Sequence, residues 1–120
     1  MKRLRAITTA AACALALVVA VPGSASAETQ GNFYYLYTQA DGTEKQANRE
    51  ELETQKCYNL PEMENSNDTK PAHSPDNKTE GTAYLYELID CRGAKSVLKK
   101  DAKGGVNLKF RSAYFPQQKV

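Results

Sequence analysis

The clearest strand pattern in the chain lies at Thr82-Ala83-Tyr84-Leu85-Tyr86-Glu87-Leu88. Alternation predicts one strand face that holds Tyr84, Tyr86 and Leu88. The opposite face holds Ala83 and Leu85. Aromatic and aliphatic residues favour a pleated, half-buried surface. We therefore expect a β-strand here that packs on a core through one of its faces.

A second aromatic stretch lies upstream, at residues 32–38. Phe33, Tyr35 and Tyr37 share one face of the predicted strand, and Tyr34 and Leu36 share the other. Further short strands, separated by turns, are predicted at 57–60, 95–99, 106–111 and 112–115. Many short strands with frequent turns indicate an all-β sandwich or small barrel, and the length allows one domain.

Two polar stretches separate the predicted strands. Residues 43–55 carry too few apolar side chains for a buried helix, and Asn48 followed by Glu51 predicts only a brief helical turn. Residues 61–80 are rich in Pro, Asn, Asp, Ser and Lys and show no apolar period. We therefore predict a long, mobile polar loop at 61–80 on the surface.

The first 27 residues have the three regions of a secretory signal peptide. A positive start is followed by an apolar stretch over 10–21 and by the small residues Ala25-Ser26-Ala27. The apolar stretch is shorter than the ~20 residues that a membrane-spanning helix needs, so we expect cleavage after Ala27 rather than a retained anchor. The exported, extracellular chain is then a single β-rich domain, residues 28–120.

Loss of the signal peptide changes the charge balance, because Lys2, Arg3 and Arg5 are lost with it. Residues 28–91 hold 5 basic and 13 acidic side chains, whereas residues 92–120 hold 8 basic and 1 acidic one. The simplest interpretation is that these charges cover opposite solvated edges of one domain. The alternative is a basic patch that faces an acidic protein or an anionic cell-wall polymer, formed by Arg92, Lys95, Lys99, Lys100 and Lys103. Nucleic acid is disfavoured, because the exported chain is not basic overall.

Two cysteines, Cys57 and Cys91, remain after Cys13 is lost with the signal peptide. In an oxidising compartment a disulfide between them is the default, and two buried thiols are the alternative. Closing a loop of about 35 residues contributes on the order of 3.5 to 4 kcal/mol in the chain-entropy model. That contribution is a large share of the stability of so small a domain.

The two strand-rich halves share a spacing, because Tyr35 precedes Gly42 and Tyr86 precedes Gly93 by the same 7 positions. A ring packed over a tight hairpin requires glycine where the backbone folds beneath it. Ser112 follows the second glycine by 19 positions. This arrangement resembles the Greek-key motif of the βγ-crystallin superfamily, and the chain is similar to small secreted βγ-crystallin-like proteins of actinobacteria. The resemblance implies a Greek-key β-sandwich, and two unrelated hairpins in another β-sandwich are the alternative.

Microbial members of this family often bind calcium through a run that opens with two Asn or Asp residues and closes with Ser or Thr followed by Ser. The corresponding run at 77–82 has Lys78 at a ligand position. The second run, at 107–112, has Leu108 and Arg111 at ligand positions. We therefore expect weak or absent calcium binding and no other metal or cofactor.

No catalytic constellation is apparent in the sequence. His73 is the only histidine, and it lies with Ser74 and Asp76 in the predicted loop, where the geometry of a nucleophile and its base would not be held. A lone histidine beside two disulfide-bonded cysteines cannot build a zinc site.

These observations favour a non-enzymatic, monomeric, secreted module that binds an extracellular protein or cell-wall polymer. Its partner-binding parts are predicted to be the 61–80 loop and the basic 92–103 segment, since a rigid scaffold commonly presents function on loops. The alternatives are a secreted proteinase inhibitor, which the resemblance implies, and a calcium-binding structural protein. A small hydrolase or toxin is the least favoured hypothesis.

Overall fold

A computed structural model describes residues 27–117, and the predicted signal peptide lies outside the described residues except for Ala27. Seven strands run through this part of the chain: β1 Gly31–Thr38, β2 Glu44–Glu50, β3 Cys57–Asn59, β4 His73–Thr79, β5 Ala83–Leu88, β6 Arg92–Leu98 and β7 Ser112–Tyr114. Two short 3-10 turns, Pro61–Met63 and Ile89–Cys91, are the only helical elements of 27–117. Over the same residues no helix has the length and apolar character to cross a membrane.

The strands form two antiparallel sheets with a β-sandwich-like arrangement. The first sheet has the order β2-β1-β4, and the second has the order β3-β7-β5-β6. An isolated bridge between Asp76 and Lys103 places the segment after β6 beside β4. The predictions of an all-β fold and of a Cys57–Cys91 disulfide are both confirmed.

Four fully buried aromatic rings form the centre of the core. Phe33 and Tyr35 share one face of β1, as the sequence predicts, and the structure shows that this face points inward. The Phe33 ring lies 5.4 Å from that of Phe115 and 6.1 Å from that of Phe110, centroid to centroid. Both contacts are edge-on, the arrangement that the charge distribution of aromatic rings favours. The cluster therefore joins β1 to the C-terminal part of the described chain.

A buried polar network lies beside this cluster. The Tyr35 hydroxyl donates a hydrogen bond to Glu62 Oε1 at 2.7 Å and accepts one from Arg49 Nε at 3.2 Å. Arg49 and Glu62 also form an ion pair. Burial raises the pKa of the Tyr35 phenol well above its ordinary value. The network ties β1 and β2 to the first 3-10 turn.

The prediction of a polar loop over 61–80 is wrong for residues 73–79, which form β4 and pair with β1. Asn77 and Thr79 are fully buried, but their polar atoms are hydrogen-bonded. Asn77 Oδ1 accepts from Thr79 Oγ1 at 2.6 Å, and Asn77 Nδ2 donates to Leu98 O at 2.9 Å. Buried polar groups are tolerated when they are bonded in this way, so a strand forms without an apolar alternation.

Residues 64–72 of the predicted loop are attached to segments that flank the strands of the second sheet, and Ala72 also forms a backbone bridge with Phe110. Thr69 O accepts hydrogen bonds from Arg111 Nε at 3.1 Å and from its Nη2 at 2.7 Å. Asn67 Oδ1 accepts one from the Ile89 N–H at 2.8 Å. These contacts hold the segment against the body of the domain.

Two further secondary-structure predictions are wrong. The helical turn expected from Asn48 is replaced by β2, which pairs along its whole length with β1. The strand expected over 106–111 is replaced by a turn and a single bridge between Phe110 and Ala72. Of the alternating apolar residues in that stretch, Phe110 is fully buried, Leu108 packs against the core, and Val106 is 64% exposed.

Candidate functional site

The register of the second sheet gathers three tyrosines on its solvent face. Tyr84 pairs with Val97 of β6 on one side and with Tyr114 of β7 on the other. Tyr86 pairs with Lys95 of β6. Residues paired across antiparallel strands project to the same face. We name these five residues the tyrosine–lysine face.

The side chains of this face form a shallow aromatic surface with one positive charge. The Tyr84 and Tyr114 rings lie 6.4 Å apart and are inclined by 32°. The Lys95 ammonium lies 4.9 Å from the centre of the Tyr84 ring, a cation–π contact. Val97 is 53% exposed, and the three tyrosines are half-buried. Such a surface suits the binding of an extended ligand with negative charge, because it offers stacking, apolar contact and a free ammonium.

A disulfide and a buried serine hold the start of β6, the strand that carries Lys95 and Val97 of this face. The Cys57–Cys91 disulfide joins β3 to the 3-10 turn before β6, with the two Cα atoms 5.9 Å apart. Ser112 Oγ accepts a hydrogen bond from the Cys91 N–H at 2.9 Å and donates one to Leu88 O at 2.6 Å. The start of β6 is therefore held by a covalent bond and two hydrogen bonds.

The glycines of the predicted motif both lie in the left-handed region, at φ +91° for Gly42 and φ +85° for Gly93. A Cβ on Gly93 would lie 3.0 Å from Leu88 Cγ, so a larger residue would displace that side chain. The tyrosines of the motif differ in environment. Tyr35 is fully buried, whereas Tyr86 belongs to the tyrosine–lysine face.

The five basic residues of the predicted patch fall into two groups. Three lie on β6 or directly after it: Arg92, Lys95 and Lys99. The other two contact residues of β4 or just after it. Lys100 donates to Glu80 Oε1 at 2.7 Å, which raises the pKa of the ammonium, and the backbone of Lys103 pairs with that of Asp76 on β4. The basic surface next to the tyrosines therefore consists of the first three.

His73 lies on β4 and is hydrogen-bonded at both ring nitrogens. Nδ1 contacts Ser74 Oγ at 2.9 Å, and Nε2 contacts Glu44 Oε2 at 2.8 Å. In a hydrolytic triad the serine contacts Nε2 of the histidine and the carboxylate contacts Nδ1. Here the two contacts are exchanged. We interpret this group as a tie that links β4 to β2 across β1.

The two stretches considered as calcium runs are used within the fold. In 77–82 the side chains of Asn77 and Thr79 bond to each other and to the backbone. In 107–112 the last residue, Ser112, braces the corner before β6. Over residues 27–117 no group of ≥ 3 His, Cys, Asp or Glu side chains is placed to hold a metal ion.

Two open clefts are lined by residues outside the tyrosine–lysine face. One, of about 320 Å³, is lined by residues 51–53 and 56–59 and borders the face, since Cys57 pairs with Tyr114. The other, of about 300 Å³, lies between the first hairpin and the 62–70 segment. Tyr84, Tyr86, Tyr114 and His73 line neither cleft. Among these features the tyrosine–lysine face is the strongest candidate for a binding surface.

The sequence predicts the strands on which these residues lie, but it does not predict that they form one surface. It placed Tyr84 with Tyr86 on one strand face, Tyr114 on the last strand, and Lys95 in a basic patch. What it lacked was the pairing of β5 with both β6 and β7, since alternation within a strand carries no information about its neighbours.

Comparisons of the chain with protein-family models, with curated proteins and with solved structures found no match.

Proposed function

We propose that this chain is a secreted, non-enzymatic, monomeric β-sandwich module that binds an extracellular partner through the tyrosine–lysine face. The observation that carries the proposal is the row of half-buried tyrosines beside Lys95 and the exposed Val97. Tyrosine offers a large amphipathic contact area and is enriched at interfaces. Because the sheet and its disulfide hold these side chains in place, binding orders few groups.

Charge favours an anionic partner, either an acidic protein or an anionic cell-wall polymer. Arg92, Lys95 and Lys99 have no carboxylate within ion-pair distance among the described residues. Unpaired cations beside a binding surface raise the association rate of anionic partners and disfavour cationic ones. Binding is expected to weaken as salt is added, since the cations are exposed.

We also propose that the two sheets form a Greek-key sandwich of the βγ-crystallin type. The first half of the chain consists of β1 to β4, and the second half consists of β5, β6, the segment around Lys103 and β7. In each half the fourth segment returns beside the first, as in a Greek key: β4 lies beside β1, and β7 lies beside β5. The third segment of each half pairs with the other sheet. β3 pairs with β7 of the second sheet, and the segment around Lys103 pairs with β4 of the first. Nuclear Overhauser contacts between Asp76 and Lys103 are expected in solution, and their absence would contradict this topology.

Partner retention tests the binding proposal. The secreted protein is immobilised and offered spent medium and cell-wall fragments of the source organism. The double substitution Tyr84→Ser and Lys95→Ala is expected to lower the retained partner at least ~10-fold, since aromatic anchors dominate binding energy.

A matched variant controls for composition and charge. Tyr34→Ser with Lys78→Ala removes the same residue types from the solvent face of the first sheet and is expected to leave retention unchanged. Thermal melts confirm first that both variants are folded. An equal decrease of the retained partner in the two variants, or no decrease in the variant with Tyr84→Ser and Lys95→Ala, would contradict the proposal.

A further inference from the structure

We infer that β6 binds an extended acidic peptide by strand addition, so that the partner segment becomes a fifth strand of the second sheet. The inference rests on the proposed binding function and specifies the chemistry of the partner. It is carried by the free edge of β6 and by the side chains that this edge presents.

One edge of β6 is open. Among the described residues the strand is the last of its sheet, and its one strand partner there is β5. At its C-terminal end Asn77 Nδ2 donates to Leu98 O at 2.9 Å, which closes the edge there. Over Arg92–Val97 no described residue pairs with the other side of the strand. Such an edge offers backbone N–H and C=O groups to an incoming strand.

The register determines which side chains an added strand would meet. Lys95 and Val97 project to the solvent face, whereas Ser96 lies opposite the buried Leu85. An added strand places alternate side chains beside Lys95 and Val97. Lys99 lies just beyond the point where Asn77 closes the edge, so it adds positive charge there but does not pair with an added strand. The complementary peptide therefore has an acidic residue, an apolar residue two positions on, and a second acidic residue at its far end that lies near the Lys99 charge without pairing.

The charges on β6 select this partner against a second copy of the chain. Lysine on an edge strand opposes pairing with a like-charged strand, so two β6 edges repel each other. The end strand of the first sheet, β2, carries Glu44 and Glu50 with Gln46 and Asn48 between them. It has no apolar residue at the position that would meet Val97.

The probe is the blocked, labelled pentapeptide Glu-Thr-Val-Thr-Glu, titrated into the full secreted protein at low salt. Two methylated forms are compared with it, one with methyl groups on the threonine nitrogens and one with them on the valine and glutamate nitrogens. Alternate N–H groups of a strand point to opposite sides in the sheet plane, so only one form blocks the paired side. We expect one methylated form to bind like the parent and the other to bind at least ~10-fold more weakly.

A charge exchange tests the register. Lys95→Glu is expected to weaken binding of the acidic peptide roughly tenfold. Of the two peptides with a single exchange, Lys-Thr-Val-Thr-Glu and Glu-Thr-Val-Thr-Lys, the one that sets its lysine beside position 95 and its glutamate near Lys99 is expected to bind this variant instead. Lys45→Glu, on the exposed end strand of the first sheet, is the matched control and is expected to leave these affinities unchanged.

Four outcomes would overturn strand addition. Equal binding of both methylated peptides, or equally strong binding of dextran sulfate, would show that charge alone attracts the ligand. Self-association of the free protein that Lys95→Glu abolishes would identify a second copy as the occupant. Failure of every peptide, with partner retention still dependent on Tyr84 and Lys95, would refute this inference and leave the proposed function standing.

Discussion

Ser112 joins three parts of the second sheet through one hydroxyl group. It is fully buried on β7, accepts from the Cys91 N–H and donates to Leu88 O. Leaving buried donors and acceptors without partners costs their full desolvation penalty. At the scale of single residues, the corner before β6 depends on this side chain.

Ser112→Ala is therefore expected to lower the free energy of unfolding by about 2 kcal/mol, since both hydrogen bonds are lost and the site excludes water. Urea denaturation measures the change. Ser96→Ala, at a half-buried serine of β6, is the control and is expected to change stability by less than about 0.5 kcal/mol. Equal effects of the two substitutions would contradict the bracing role.

The buried Tyr35 phenol predicts a loss of stability in alkali. Its pKa in the folded protein is raised by burial above the ordinary value of about 10. The unfolded chain therefore loses this proton first, so the contribution is complete below about pH 10 and is lost as the pH rises. Tyr35→Phe is expected to be less stable at neutral pH, because the bonds with Glu62 and Arg49 are lost. Its stability is expected to fall less steeply than that of the parent above pH ~10, as measured by urea denaturation across the pH range. Parallel curves would contradict this assignment.

At the scale of elements, the first described residues form a clamp on the segment after β2. Thr54 is buried, and its N–H and hydroxyl both donate to Ala27 O, at 2.9 and 3.0 Å. The Thr29 N–H donates to Leu52 O at 2.8 Å, and the Leu52 N–H donates to Thr29 Oγ1 at 3.0 Å. Signal cleavage after Ala27 would remove the first acceptor.

A chain that begins at Ser26 is accordingly expected to be more stable than one that begins at Glu28, by roughly 1 to 3 kcal/mol. Thermal melts of the two chains measure the difference. Thr54→Val removes one of the two donors and is expected to reduce the difference in stability between the two chains. An unchanged difference, or equal stability of the two chains without the substitution, would show that the Ala27 carbonyl contributes nothing.

The strands that could be predicted are those in which apolar residues alternate, such as β1 and β5. In β1 the alternation places Phe33 and Tyr35 on one face, and both side chains are buried in the core. By contrast, β4 could not be found in this way, since Asn77 and Thr79 are buried through hydrogen bonds rather than through apolar character. The opposite error occurred over 106–111, where apolar alternation is present but a turn forms. The binding face was predictable only strand by strand, since its assembly depends on pairings between distant segments.

At the scale of the whole molecule, the two halves of the chain are joined by exchanged segments and by one covalent link within the second sheet. The disulfide joins Cys57 of β3 to Cys91, which lies directly before β6. Its loss would free the turn that positions the edge of the tyrosine–lysine face.

The double substitution Cys57→Ser and Cys91→Ser is expected to cost about 3.5 to 4 kcal/mol of stability, for a closed loop of about 35 residues. A melt of the parent protein with and without reductant is the companion measurement and is expected to agree. Stability unchanged by either treatment would contradict a structural role for the disulfide.

The most direct test of binding through the tyrosine–lysine face is site-specific photocrosslinking in culture of the source organism. Tyr84 is replaced by a benzophenone amino acid in the full chain, and Tyr34 on the other sheet is replaced in a parallel sample. Adduct yield at each position is measured by mass spectrometry after irradiation. A partner seated on the face will give adducts at position 84 and few at position 34. Equal yields at the two positions, or none at position 84, would contradict the proposed function.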